Sequence, residues 1–350
     1  MQKIIFLIHD ITKPGGTERV TLTLARNFQK EDVPCEIFSL NKENNIPFYS
    51  SGKTLIKYAK SNIRILSIIE AINYAKRNNA KLIVVSMGRL SIEVSFLARV
   101  CLFKNIYLYE HISFESFGMH IRILKYFSYL ISKGTIFLTR HDVEFVKSKL
   151  PKIKAYSIDN INPYENINYI DINERENIVL AVGRLTDQKN FSRLINLWSK
   201  FENLGWKLLI IGSGPEKKKL ENDIVDLKIK NILIHDATPN VDSYYKRSKV
   251  YVMTSKYEGL PMVLIEAQGF GLPAISFDCK TGPADIIQNN ESGYIIPYDD
   301  DDDFINKLQS IMNDAACLSN MSKKAFVNAQ RFTFLEVKNE WFKILSEESK

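Results

Sequence analysis

The chain has 350 residues, of which 45% are apolar and 25% charged, a composition typical of globular proteins and a length that predicts two domains. Its four cysteines form no C-x-x-C pair, so we expect free thiols in a reducing compartment. The apolar stretch at residues 4–8 is too short for a signal peptide, and no apolar run approaches the roughly 20 residues of a membrane span. We therefore expect a cytoplasmic protein.

The net charge of +7 is divided unevenly along the chain. Residues 1–165 contain 24 lysines and arginines against 14 acidic residues, whereas the remainder contains 23 against 26. A basic first half predicts an anionic partner, which would be nucleic acid, a membrane surface or a phosphorylated substrate. Because no zinc-finger, RNP or helix-turn-helix signature is present, we expect no nucleic acid partner.

The first half alternates short apolar runs with helical patterns, which predicts a parallel α/β sheet. The predicted strands are Ile4–Ile8, Cys35–Leu40, Leu82–Val85, Ile106–Tyr109, Thr135–Leu138 and Ile153–Ser157. The predicted helices are Thr17–Phe28, Ile65–Arg77, Ile92–Phe103, Ile121–Ile131 and Asp142–Leu150. Ligands of such sheets bind at the carboxyl ends of the strands, so the loops at those ends are candidate binding loops.

Two of these loops carry candidate residues. The loop after the first strand contains Gly15 and Gly16, whose backbone can approach a ligand closely, and Thr17 could cap the following helix. A flexible helix entry is the alternative. The second loop begins with Glu110 and His111 at a strand's carboxyl end, although a lone histidine is often only structural.

A helix predicted at residues 119–133 mixes basic and aromatic side chains. Such a helix can lie on an anionic bilayer, and the alternative is a core helix with a solvated basic face. The relevant residues are Arg122, Lys125, Lys133, Tyr126, Phe127, Tyr129 and Leu130.

The asparagine-rich segment at residues 159–177 predicts an interdomain linker.

The second half opens with a predicted strand, Ile178–Val182, and a loop containing Gly183, Arg184 and Lys189. Arginine offers a bidentate fork and lysine a point charge, so this loop can place two cations on a diphosphate. An ordinary charged surface loop is the alternative.

Two further strand ends are candidates for contacts to a nucleotide. The predicted strand Leu208–Ile211 leads into a turn with Gly212 and Gly214, which lacks the third glycine of a nicotinamide fingerprint and could be a plain tight turn. The predicted strand Ile232–His235 is followed by Asp236.

Residues 250–277 are predicted to form a strand, a loop, a helix, a turn and a strand, with Val250–Thr254 and Ala274–Phe277 as the strands. Pro261 suits the first helical position. The free backbone N–H groups near Gly259 and Leu260 would then form an anion site.

Two glutamates accompany this anion site. Glu258 precedes the helix and Glu266 lies within it, so their carboxylates can accept hydrogen bonds from sugar hydroxyl groups. The spacing of Glu258 and Glu266, with Ser255 before them and Gly259-Leu260-Pro261 between them, resembles the signature of family 4 glycosyltransferases. These are retaining, nucleotide-sugar-dependent enzymes.

The resemblance covers essentially the whole chain and implies an α/β fold of the GT-B type. This architecture has two Rossmann-like domains with a cleft between them and a C-terminal helix, here residues 332–345, that crosses back to the first domain. We expect an N-terminal acceptor domain at residues 1–160, a linker at 161–176, a nucleotide-sugar domain at 177–330 and the crossing helix at 331–350.

The resemblance also implies roles for individual residues. Arg184 and Lys189 match the family's Gly-Arg-Leu…Lys-Asn element and would hold the diphosphate. Glu258 would contact the transferred sugar, Glu266 the ribose, and His111 the donor sugar. Further donor contacts are implied for Gly15, Gly16, Gly183, Gly212, Gly214, His235, Asp236, Gly259, Leu260, Pro261, Met262 and Val263, with Asp236 standing where the family usually has glycine.

The implied reaction transfers a sugar from a nucleotide-sugar to a glycan acceptor. The element Thr281-Gly282-Pro283, in which Thr281 could cap a helix, resembles enzymes of O-antigen and capsule assembly that use UDP-GalNAc, UDP-GlcNAc or UDP-Gal. From the basic first half and the helix at residues 119–133 we expect a peripheral position on the cytoplasmic face of a membrane, where a lipid-diphosphate-linked acceptor would lie.

No cofactor and no metal is expected, and the five aspartates at Asp299–Asp303 should instead cap a helix. Two alternatives stay open. One is a nucleotide-sugar epimerase of the same architecture, and the other is a non-catalytic nucleotide-sugar-binding subunit.

Overall fold

The computed structural model describes residues 2–201, 205–279 and 281–346. The chain forms two compact units. The first runs up to Pro163 and includes the C-terminal segment that starts at Phe334, and the second comprises Tyr164–Thr333. The boundary therefore falls inside the segment for which the sequence predicts a linker.

The first unit is built on a seven-stranded sheet whose neighbouring strands are all parallel. The strands are β1 (Ile4–Asp10), β2 (Cys35–Asn41), β3 (Leu55–Tyr58), β4 (Lys81–Ser86), β5 (Ile106–Glu110), β6 (Gly134–Phe137) and β7 (Ala155–Ser157). Their order is β3-β2-β1-β4-β5-β6-β7. Five of its helices are α1 (Gly16–Lys30), α2 (Arg64–Arg77), α3 (Leu90–Val100), α4 (Met119–Ile131) and α5 (Arg140–Lys149).

The second unit repeats this design with a six-stranded parallel sheet. Its strands, in the order β10-β9-β8-β11-β12-β13, are β8 (Ile178–Val182), β9 (Lys207–Ile211), β10 (Ile232–His235), β11 (Val250–Met253), β12 (Ala274–Phe277) and β13 (Gly293–Ile296). Its helices are α6 (Phe191–Trp198), α7 (Lys217–Asp226), α8 (Asp242–Arg247), α9 (Met262–Gly269), α10 (Pro283–Ile286), α11 (Asp301–Asn313) and α12 (Ala315–Asn328).

Continuous apolar runs form the central strands because both faces of each sheet are covered. Every residue of β4 and of β11 is buried. Parallel sheets with helices on both faces require such runs, and the sequence prediction of a parallel α/β fold is confirmed. The edge strand β3, which the sequence did not predict, has no buried residue.

The last helix, α13 (Phe334–Ser346), belongs to the first unit and packs against α1. Phe28 of α1 meets the rings of Phe334 and Trp341 edge-on, with centroid distances of 5.5 and 5.8 Å. Lys338 adds an ion pair to Glu31 at 3.0 Å. The predicted return of the final helix to the first domain is therefore confirmed. In the ranges that the structure describes, no helix combines the length and apolarity needed to cross a bilayer.

Candidate active site

The candidate site of the second unit lies where the strand order of its sheet reverses. From β8 the chain proceeds to β9 and β10 on one side, and from β11 it proceeds to β12 and β13 on the other. Ligands of open α/β sheets bind beside the carboxyl ends of strands at such a point. The loops after β8 and β11 carry the predicted cations and the first predicted glutamate, so the sequence places its candidates where the topology requires them.

These two loops are joined by a salt bridge. Nζ of Lys189 lies 2.5 Å from Oε1 of Glu258, and the two side chains are only 14% and 9% exposed. Two further hydrogen bonds reinforce the junction: the Lys256 backbone N–H donates to the Gln188 carbonyl at 2.8 Å, and the Gln188 side-chain amide donates to the Tyr257 carbonyl at 2.9 Å. The structure therefore brings the predicted lysine and glutamate into direct contact.

Arg184 lies in the same loop as Lys189 but is exposed. Within the described part of the chain its guanidinium has no hydrogen bond and no ion pair. A cation without an internal partner is available to an anionic ligand.

The turn from Gly259 to Val263 presents open backbone donors. Helix α9 begins at Met262, with Pro261 at the N-cap rather than at the first helical position, and no side chain caps it. Among the described residues, no acceptor lies within hydrogen-bond reach of the N–H groups of Gly259, Met262 and Val263. Uncapped donors at a helix N-terminus favour an anion, so this turn is suited to a phosphate group.

The segment after β12 holds this turn in place. The Thr281 hydroxyl donates to the Glu258 carbonyl at 2.8 Å. Gly282 has a φ of +102°, and a Cβ there would lie 2.4 Å from the Gly259 carbonyl oxygen. Thr281 is therefore not the predicted helix cap, since Gly282 occupies the N-cap of α10. Only glycine permits this close approach.

Glu266 is buried in α9, where Oε2 accepts a hydrogen bond from the Tyr245 hydroxyl at 3.0 Å. Arg175 supports this pair by donating to the carbonyls of Ser248 and Phe270, which follow α8 and α9. Burial lowers the pKa of Arg175 to about 10, which leaves its charge intact near neutral pH. Nothing in the sequence spacing indicates Tyr245 or Arg175.

Backbone packing requires Gly212 and Gly214 of the β9 loop. A Cβ on Gly212 would lie 1.9 Å from the Gly183 carbonyl oxygen, and one on Gly214 would lie 2.3 Å from that of Leu185. A Cβ on Gly183 would meet the side chain of Lys189 at 3.3 Å. These glycines therefore let the two loops and the Lys189 side chain pack together, whatever ligand they contact.

His235 ends β10, the next strand along the sheet, and Asp236 follows it; both residues are exposed. The Lys217 ammonium lies 2.6 Å from the Asp236 carboxylate and lowers its pKa. The Ser213 hydroxyl accepts from the Ala237 N–H at 3.0 Å, so this loop is attached to the β9 loop. Asp236 thus acts within the protein as a partner of Lys217.

Gly15 and Gly16 lie at the carboxyl end of β1 in the first unit, and Gly15 is the N-cap of α1. Thr17 is therefore inside the helix rather than its cap, and its hydroxyl donates to the Glu18 carboxylate at 2.7 Å. A Cβ on Gly15 would lie 2.2 Å from that carboxylate. Gly16 is exposed and leaves the helix entry open.

His111 follows β5 in the first unit and is buried. Its ring packs edge-on against Tyr109 at a centroid distance of 4.1 Å, and no described residue forms a hydrogen bond with Nε2. Burial lowers the pKa of His111 to about 3, so the imidazole is neutral near pH 7. A neutral ring has one hydrogen-bond donor and one acceptor.

Helix α4 differs from its predicted character. Lys125 is completely buried and pairs with Glu110, so it contributes no charge to the surface. What the helix exposes is mainly apolar. We call these residues the α4 face: Met119, Ile123, Leu124, Phe127, Leu130 and Ile131.

The run of five aspartates caps a helix as predicted. Asp300 is the N-cap of α11, and its carboxylate accepts from the Asp303 N–H at 2.9 Å. Within the described ranges, no group of three His, Cys, Asp or Glu side chains could hold a metal ion.

Two parallel α/β units, the second with its candidate site where the strand order reverses, are the architecture of a glycosyltransferase of the GT-B type. A family model described as glycosyl transferases group 1 matches residues 165–328. The amylovoran biosynthesis glycosyltransferase AmsD of Erwinia amylovora is 35% identical, over 99% of this chain and 100% of the relative. The chain belongs to this glycosyltransferase family, and the resemblance to family 4 enzymes is confirmed.

A more distant relative and a solved structure cover the chain as fully. An alpha-1,4-N-acetyl-D-galactosaminyltransferase of Campylobacter jejuni, named for an acceptor that ends in diNAcBac-PP-undecaprenol, is 26% identical over 99% of both chains. The crystal structure of a TarM variant of S. aureus, in complex with UDP among other ligands, has a TM-score of 0.84 at 16% identity. It covers 99% of this chain and 100% of its own, which confirms the GT-B fold.

Proposed function

We propose that the protein is a retaining glycosyltransferase that moves a sugar from a UDP-sugar to a lipid-diphosphate-linked glycan, in the synthesis of a surface polysaccharide or a related glycan. One observation carries the proposal. Lys189 pairs with Glu258, and Glu258 directly precedes a turn whose N–H groups at Gly259, Met262 and Val263 have no partner among the described residues. An ammonium group beside open backbone donors suits a pyrophosphate.

The remaining residues of the second unit complete the proposed donor site. Arg184 and Lys189 hold the diphosphate with the turn from Gly259 to Val263, and Glu266 accepts hydrogen bonds from the ribose. Glu258 contacts the transferred sugar. His235, Asp236, Gly212 and Gly214 line the side of the nucleotide. The UDP in the TarM structure and the GalNAc transfer in the name of the Campylobacter jejuni relative support UDP-GalNAc, UDP-GlcNAc or UDP-Gal as the donor.

The chemistry we propose is attack from the same face as the leaving group. The bond between sugar C1 and the β-phosphate oxygen breaks, and the acceptor hydroxyl oxygen bonds to C1 on that face. The acceptor proton passes to the departing phosphate. Arg184 and Lys189 offset the charge that grows on the diphosphate, a contribution that often dominates catalysis, and the step requires neither a protein nucleophile nor a metal ion.

For the first unit we propose contacts to the transferred sugar and to the acceptor. Neutral His111 has the hydrogen-bonding capacity for a hydroxyl group of the transferred sugar, and the half-buried Gly15 and exposed Gly16 permit close approach of a ligand to the backbone. The α4 face supports a peripheral position on an anionic membrane, because an apolar helix face on a basic domain gains both burial and charge attraction there.

A donor panel with product analysis tests the proposal. The protein is incubated with UDP-GalNAc, UDP-GlcNAc or UDP-Gal and a lipid-diphosphate glycan, with and without EDTA, and UDP release is followed. We expect release that depends on the acceptor and survives EDTA, and a product whose anomeric configuration by NMR equals that of the donor. An inverted product would contradict retention. Interconversion of UDP-sugars without acceptor would show an epimerase, and binding without turnover would show a non-catalytic subunit.

A further inference from the structure

The salt bridge joins Lys189 and Glu258, which bind different parts of the donor in the proposed function. Lys189 would hold the diphosphate of the donor and Glu258 the transferred sugar. In the structure they hold each other, with Nζ 2.5 Å from Oε1 and both side chains largely shielded from water. A carboxylate and a diphosphate on one shielded ammonium repel each other strongly, because the local dielectric constant is low.

We propose that Glu258 competes with the diphosphate for Lys189 and thereby weakens the binding of the nucleotide product relative to the donor. The inference rests on the proposed donor site. When a nucleotide-sugar binds, the displaced carboxylate of Glu258 finds new partners in the hydroxyl groups of the sugar. After transfer the sugar has left, so the carboxylate has no partner except Lys189 and returns to it. The nucleoside diphosphate is then released.

The structure limits the required movement to side chains. The Glu258 carbonyl is fixed by the Thr281 hydroxyl at 2.8 Å. The Lys189 N–H donates to the Thr186 carbonyl at 3.0 Å, and the Lys189 carbonyl accepts from the Thr254 hydroxyl at 3.2 Å. Both backbones are therefore held, and rotation about side-chain bonds is enough to exchange the carboxylate for a phosphate.

The other groups of the turn do not share this conflict. The N–H groups of Gly259, Met262 and Val263 and the guanidinium of Arg184 have no partner among the described residues. The buried Ser255 hydroxyl, three residues before Glu258, is also without one in the same ranges. Of the donors named here, Lys189 is the one already paired with a described residue, and Glu258 is its partner.

Calorimetric titration with UDP tests the inference. The Glu258→Gln variant keeps the shape of the side chain and removes its charge, so we expect its UDP dissociation constant to be about 10-fold lower than that of the wild type. Its turnover should fall, because product leaves more slowly and the sugar loses a charged acceptor.

Asp187→Asn is the matched control. Asp187 lies in the same loop as Lys189, but it pairs with Lys256 at 2.5 Å and its side chain is 79% exposed. Removing this charge should change UDP affinity by less than about 2-fold, since exposed charges are screened.

The outcomes separate this inference from the function on which it rests. Equal or weaker UDP binding by Glu258→Gln would overturn the competition alone. An equal gain in UDP affinity in both variants would also overturn it. The cause would then be the loss of any negative charge from this region, not the loss of the Glu258 carboxylate in particular. If UDP binds to none of the three proteins while circular dichroism shows them folded, the proposed donor is wrong and the inference falls with it.

Discussion

Lys125 and Glu110 form an ion pair that is closed to solvent: Nζ lies 2.7 Å from Oε2, and the side chains are 0% and 1% exposed. The ammonium also donates to the Ser91 hydroxyl at 3.1 Å and lies 4.5 Å from the centre of the Phe117 ring. The pair joins helix α4 to the end of strand β5. Because Glu110 directly precedes His111, the pair also fixes the start of the loop that carries this histidine.

Breaking this pair should strongly destabilise the protein. Lys125→Met leaves the Glu110 charge buried without its partner, which we expect to lower the free energy of unfolding by about 3–5 kcal/mol. The double variant Lys125→Met/Glu110→Gln should recover most of this loss. Urea unfolding followed by circular dichroism measures both. Lys13→Met is the control, because Lys13 pairs with Glu43 at the surface and should matter by less than about 1 kcal/mol. Equal losses of stability in Lys125→Met and Lys13→Met would contradict the conclusion that the Lys125–Glu110 pair is buried.

The buried His111 should make stability depend on pH. Burial lowers the pKa of His111 from 6.5 to about 3, so the unfolded chain binds a proton between these values that the folded protein does not. The stability that the protein has with His111 neutral is therefore fully present above about pH 6.5, and it is lost as the pH falls towards 3. From pH 7 to pH 5 the wild type should lose about 2 kcal/mol relative to His111→Gln, measured by urea unfolding at both pH values. Parallel pH profiles for the two proteins would show that His111 is not held neutral.

The packing of the β8 and β9 loops should not tolerate a methyl group. A Cβ on Gly212 would lie 1.9 Å from a backbone oxygen, so Gly212→Ala should destabilise the protein by about 1–3 kcal/mol and weaken UDP binding. Gly88→Ala is the control, because nothing lies within 4 Å of a Cβ there, and its effect should stay within about 0.5 kcal/mol. Thermal unfolding with and without UDP reports both quantities. A wild-type melting temperature for Gly212→Ala would refute the close approach.

The α4 face should support membrane binding through apolar contacts. Ile123→Ser/Phe127→Ser removes two exposed apolar side chains and should reduce flotation with vesicles rich in phosphatidylglycerol without changing stability. Vesicles of phosphatidylcholine alone should bind less of the wild type, since the basic domain gains nothing from them. Val225→Ser, an exposed residue of the second unit, is the control. Flotation that is insensitive to both the variant and the lipid charge would exclude this surface.

Much of the fold could be predicted because parallel strands are continuous apolar runs. The strands Ile232–His235 and Ala274–Phe277 were predicted at their observed bounds. Strand β3 was missed because it lies at a sheet edge, where its residues need not be apolar. The predicted caps at Thr17 and Thr281 were wrong because a neighbouring glycine takes each cap position.

The candidate site was predictable only where a short motif carries it. Lys189, Glu258 and Glu266 belong to such motifs. Arg175 does not: it lies in the polar segment predicted to be a linker, yet it is buried and donates to carbonyls beyond α8 and α9. The burial of Lys125 was equally hidden, since a count of basic residues on a helix does not reveal that one of them has a partner on a strand.

Turnover of Lys189→Ala tests the central claim most directly. If Lys189 stabilises the charge of the departing diphosphate, kcat should fall by about 100-fold or more. Lys256→Ala, which removes an exposed lysine paired with Asp187 in the adjoining loop, should retain nearly full activity. A Lys189→Ala enzyme that turns over at close to the wild-type rate would contradict the account.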